Sequence, residues 1–83
     1  MRITFKLFAT LGDYLPPSAR FNQIELGLAA GTTVTQVIDA HALPAKLVHL
    51  VLINGHFVPP EARADRVLVE GDVLAIWPPI AGG

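Results

Sequence analysis

The chain has 83 residues, enough for one domain and too few for two. Hydrophobic residues make up 52% and charged residues 16%, which excludes a disordered chain and makes most apolar side chains share one core. The formal net charge is −1, the six Lys and Arg are scattered, and cysteine is absent; a basic nucleic-acid surface and a disulfide or thiolate-metal framework are excluded together.

Arg2 to Phe8 alternates, with Ile3, Phe5 and Leu7 on one face and Thr4, Lys6 and Phe8 on the other, which predicts a strand. Thr10 to Leu15 predicts a short helical turn ended by Pro16-Pro17. Phe21 to Leu28 alternates again, Ile24, Leu26 and Leu28 inward and Gln23 and Glu25 outward, until Ala29-Ala30-Gly31 breaks the run. Thr33 followed by Gln36 has the pattern of a capping box, and Val34, Val37, Ile38 and His41 or Ala42 form one apolar helical stripe. Leu43-Pro44 ends that helix, because the residue before proline is pushed out of helical geometry. Val48 to Ile53 reads as a strand buried on both faces. Asn54-Gly55 is a turn dipeptide, and His56 to Val58 a short edge strand stopped by Pro59-Pro60. The polar stretch Glu61 to Arg66 leads to Val67-Leu68-Val69, and Glu70-Gly71-Asp72 turns into a last strand, Val73 to Trp77.

The expected order is β, β, α, β, short β, β: an α+β chain with a mixed sheet and one main helix packed on one face. This order resembles the β-grasp, the fold of ubiquitin. The longest apolar stretch, Leu47 to Ile53, falls far below the roughly 20 residues that span a bilayer, and the alternating N-terminus lacks the apolar run of a signal peptide. The expectation is a soluble, cytoplasmic protein that binds neither membrane nor nucleic acid.

Few residues carry chemistry of their own. His41, His49 and His56 have no compact metal-ligand spacing and read as structural or solvent-facing. Ser18, the one serine, has no nucleophile elbow and no nearby base, and the acidic residues form no acid–base pair. An enzyme acting alone is not expected.

The informative segment is the tail, Pro78-Pro79-Ile80-Ala81-Gly82-Gly83. Two prolines remove backbone donors and fix φ, so strand pairing stops and the chain leaves in an extended form. After them the side chains shrink to nothing. A random chain ends in Gly-Gly only about 0.5% of the time at average glycine usage. The expected product is a single domain over residues 1–83 with a flexible tail, 78–83, ending in an unhindered carboxylate at Gly83. A carboxylate is a poor acyl donor until a mixed anhydride with AMP gives it a leaving group; a sulfur nucleophile can then displace AMP. The activating groups must come from a partner.

Ile53-Asn54-Gly55, Pro60-Glu61, Leu68-Val69-Glu70-Gly71-Asp72-Val73 and the Pro78-to-Gly83 ending together resemble the MoaD/ThiS family of β-grasp sulfur carriers. Lys6 to Leu11 also looks like that family's first strand, so the resemblance covers nearly the whole chain. It implies that an E1-like adenylyltransferase activates Gly83 with ATP, the chain itself binding no cofactor. A sulfurtransferase or cysteine desulfurase then delivers sulfur, and an acceptor such as the molybdopterin synthase large subunit consumes the C-terminal thiocarboxylate. The Pro-Pro-x-Ala-Gly-Gly ending looks closest to the molybdopterin synthase small subunit type, which would place the chain in molybdenum cofactor biosynthesis. The resemblance also implies that the exposed sheet face near the tail docks on partners. Trp77 stands where phenylalanine is more usual and reads either as core packing or as an anchor on that face; Phe8 is the second candidate. Thr10 and Gly12 stand where relatives commonly carry arginine. Two other functions stay open: a protein modifier joined to lysines through Gly83, and a non-covalent β-grasp binding module whose tail is incidental.

Overall fold

The computed structural model describes residues 1–79. Its sheet contains β1 (Arg2–Leu7), β2 (Gln23–Gly27), β3 (Leu50–Ile53), β4 (His56–Phe57) and β5 (Val73–Trp77), arranged β2-β1-β5-β3-β4. The first and last strands lie side by side and parallel, Phe5 opposite Leu74 and Leu7 opposite Ile76; the other neighbours are antiparallel. The sheet with its single α-helix, α1 (Val34–Ala40), is the β-grasp arrangement expected of the sequence.

The alternation in β1 and β5 decides which face is covered. Ile3, Phe5 and Leu7 from β1 meet Leu74 and Ile76 from β5 and Val51 and Ile53 from β3, all nearly inaccessible to solvent. Onto them α1 lays Val34, Val37 and Ile38, with Leu11, Leu43, Val58 and Leu68 closing the sides. Burying a side chain of this size contributes roughly 1.5–3 kcal/mol, so this layer carries most of the fold's stability. The helix begins as the sequence requires: Gln36 N donates to Thr33 Oγ1 at 3.2 Å while Gln36 Oε1 accepts from Thr33 N at 2.9 Å. At its far end the His41 ring packs 4.7 Å from that of Phe5, and Nδ1 lies 2.9 Å from the Val37 carbonyl oxygen. Short 3-10 helices at Ala9–Tyr14, Ala45–Leu47 and Pro60–Ala62 fill the connections.

Two expectations change. The strand expected from Val48 begins at Leu50, and it is not buried on both faces: Val51 and Ile53 are buried, whereas Leu50 and Leu52 are half-buried. The cause is that one helix covers one side of the sheet, so apolar residues at the even positions face away from it. The strand expected from Phe21 begins at Gln23, because Arg20 and Gln23 exchange backbone hydrogen bonds of 3.1 Å and leave Phe21-Asn22 as a tight turn.

The start of β5 is fixed by a dense polar corner. Asp72, 4% exposed, accepts from Asn54 Nδ2 and from Val69 N, both at 2.9 Å. Asn54 Oδ1 in turn accepts from Val73 N at 2.8 Å, and Asn54 N donates to the Val73 carbonyl. Glu70 Oε1 accepts from Arg2 N at 2.9 Å, and Gly71 N donates to Arg2 O. Asn54 and Gly71 both take positive φ, which asparagine tolerates and glycine favours.

Candidate functional site

At its other end β5 delivers the chain to the surface. His49 N donates to the Trp77 carbonyl at 3.1 Å, the last backbone pairing on this strand; Pro78 and Pro79, which cannot donate, lie beyond any helix or strand. Pro78 is half-buried and Pro79 exposed. Ile80, Ala81, Gly82 and Gly83 lie outside the described residues, so the expected reactive carboxylate and the reach of the tail do as well.

The pairing register places a particular set of side chains around this exit, on the face away from α1. Phe8 follows β1, and its N–H donates to the Ile76 carbonyl at 3.1 Å, which sets the ring beside Trp77. The two rings are stacked, centroids 3.9 Å apart and planes 6° from parallel. Both remain half-exposed. Trp77 therefore sits on the outer face rather than in the core, which answers the first of its two alternative readings. Leu50 is its cross-strand partner on β3, and the next row outward runs from Lys6 through Ala75 and Leu52 to Phe57. Phe57 is 56% exposed. The result is a mostly apolar strip from the tail exit to the β4 edge, with one cation, Lys6, beside it.

One residue at this end escaped the sequence reading. Phe21 is fully exposed, with φ of +57°, a backbone conformation that bulky side chains rarely adopt. Leu7 N donates to the Asn22 carbonyl at 2.9 Å, which holds the turn against the end of β1, the same end of the sheet as Phe8 and Trp77. Alternation from Phe21 onward read as strand; the only opposing signal was the Asn beside it, a residue favoured in tight turns.

Chemically, this surface offers apolar contact area beside the point where the chain leaves the sheet. Among the described residues no group of three or more His, Cys, Asp or Glu side chains is arranged to hold a metal ion. His49 and His56 are exposed, and no helix is long and apolar enough to cross a membrane.

Comparison with known proteins agrees with this architecture. The family model described as Mut7-C ubiquitin matches residues 1–81, ending just before Gly82 and Gly83. The crystal structure of SAMP1 from Haloferax volcanii is similar over 100% of both chains, with 25% sequence identity and a TM-score of 0.69. No curated protein sequence matches. With one helix against a mixed five-stranded sheet, and a family match spanning almost its whole length, the chain belongs to the Mut7-C ubiquitin family and is a MoaD/ThiS-like, ubiquitin-like protein.

Proposed function

We propose that this protein is a sulfur carrier whose working group is the carboxylate of Gly83. An E1-like adenylyltransferase joins that carboxylate to the α-phosphorus of ATP, releasing pyrophosphate. A persulfide carried on a sulfurtransferase or cysteine desulfurase then displaces AMP to form an acyl disulfide, and a thiol cleaves its S–S bond, becoming a disulfide itself and leaving the thiocarboxylate. An acceptor enzyme, of which the molybdopterin synthase large subunit is the type the ending resembles, takes the sulfur and returns the carboxylate. The chain itself contributes recognition and presentation: the outer face with Phe8 and Trp77 docks, and Pro78 through Gly83 enters the partner's active site. Glycine suits the reacting position because it has no side chain to obstruct attack or a narrow channel.

The observation that supports this reading is the exit of β5. Its pairing ends at Trp77, and the two prolines follow on a face already lined with exposed aromatic surface. The test is incubation with a cognate E1-like enzyme, ATP and a sulfur donor. Intact mass should rise by the difference between one sulfur and one oxygen. Gly83→Trp should abolish the change while thermal unfolding stays as in the wild type. An unchanged wild-type mass defeats the proposal.

The family's ubiquitin-like character favours a second outcome for the same activated carboxylate, transfer to a lysine amine with formation of an isopeptide bond. A ladder of covalent conjugates in cell lysate, lost on deletion of Gly82 and Gly83, distinguishes the modifier from the carrier.

A further inference from the structure

On the opposite side of the sheet, between α1 and the segment after β4, lies a groove of about 460 Å³, within the usual size range of small-molecule sites. Its walls are apolar: Ile38 from the helix, Leu43 and Val48 from the connection to β3, and Pro60. Arg63 also lines it and is only 7% exposed. Its Nε donates to the Val58 carbonyl at 3.1 Å and one Nη to the His49 carbonyl at 3.3 Å. A guanidinium has five N–H donors, and these bonds use two of them; among the described residues no fully buried side-chain nitrogen lacks a partner, so the free guanidinium nitrogen is accessible from outside. The one ion pair among the described residues joins Arg2 to Glu25 at 3.8 Å on the surface, and no carboxylate pairs with Arg63.

Partial burial pulls the Arg63 pKa below its ordinary value, with the charge of Glu61 partly opposing that shift. Two backbone carbonyls supply hydrogen bonds but no negative charge. A carboxylate in the groove would supply both, and planar guanidinium–carboxylate pairing is among the stronger charge-assisted contacts. Asp39, exposed on the rim, disfavours a second negative charge on the occupant.

From a guanidinium held by two backbone carbonyls, with donors still free, at one side of an apolar groove, we propose that this groove binds a small apolar molecule carrying a single carboxylate. The carboxylate pairs with Arg63, and the apolar body lies against Ile38, Leu43, Val48 and Pro60. This site lies on the helix face and stands independently of the tail chemistry.

The probe is hydrocinnamate, with its uncharged amide as the matched control, titrated into the full chain and followed by NMR of the Ile38, Leu43 and Val48 methyl groups. The acid should give saturable shifts at these methyls and bind about tenfold more tightly than the amide, as expected of a charge-assisted pair. Equal affinity for acid and amide, or shifts that do not saturate, overturns the proposal. Arg63→Gln should remove the preference for the acid; a folded variant that keeps it also overturns the proposal. Should that variant fail to fold, the comparison of acid with amide in the wild type decides alone.

Discussion

Where β5 begins, at Asp72 and Val73, side chains and backbone from three distant segments converge in hydrogen bonds of 2.8–3.1 Å. Where it ends, five residues later, the neighbours are a stacked Phe8–Trp77 pair, a half-buried proline and an exposed phenylalanine turn. The first end spends its polar groups internally; the second leaves apolar surface in water. A monomer gains less from the latter, since a half-exposed aromatic contributes only part of its burial energy. The contrast separates residues that hold the sheet from residues that offer it. Much of the motif that makes the sequence look familiar, Asn54-Gly55 and Glu70-Gly71-Asp72, belongs to the holding end.

Breaking the polar corner should have the largest effect on folding. Asp72→Ala leaves Asn54 Nδ2 and the Val69 N–H without their acceptor and should cost about 3 kcal/mol, read from urea denaturation. The sulfur-transfer competence of the folded fraction should be unchanged.

The aromatic end should respond in the reverse sense. Trp77→Ala should weaken binding to the activating partner by about tenfold or more, the loss typical of an aromatic anchor, measured by titration calorimetry. Its cost to folding should be smaller than that of Asp72→Ala, and a double-mutant cycle with Phe8→Ala should return a stability coupling of about 1 kcal/mol for the stacked pair.

The smallest effect is expected at the turn. Phe21→Gly removes a side chain that touches no core and relieves a left-handed backbone, so stability should rise by about 0.5 kcal/mol in the same denaturation assay. Stabilisation accompanied by a severalfold loss of partner affinity would assign the exposed ring to docking. Stabilisation with unchanged affinity would confine the docking surface to Phe8, Trp77 and their row.

Much of this was legible in the chain. Alternation in Arg2–Phe8 identified the buried face of β1, Thr33 with Gln36 located the helix start, and Asn54-Gly55 located the turn into the edge strand. What escaped depended on neighbours far away in sequence. The double-sided burial expected of β3 failed because an unbroken apolar run reports which residues are apolar, not how many layers cover the sheet. Arg63 sat in the polar stretch Glu61 to Arg66; its stem is covered because Val58 and His49 present carbonyls to it across the fold. Phe21 escaped because a bulky residue in a left-handed turn contradicts local propensity. The tail stood out through its proline pair and its two final glycines, a feature written entirely in the local sequence.

The parallel pairing of β1 with β5 has a consequence for biosynthesis. The strand that occupies the middle of the sheet leaves the ribosome after every other element, so β1 must wait for a neighbour some seventy residues downstream. Contacts of such long sequence separation slow folding, and until they form the nascent chain exposes unpaired strand edges to chaperones or to aggregation. A prematurely terminated product would lack the centre of its own sheet. Only a molecule translated through Trp77 can close, so competence to fold and possession of the tail's root arrive in the same event.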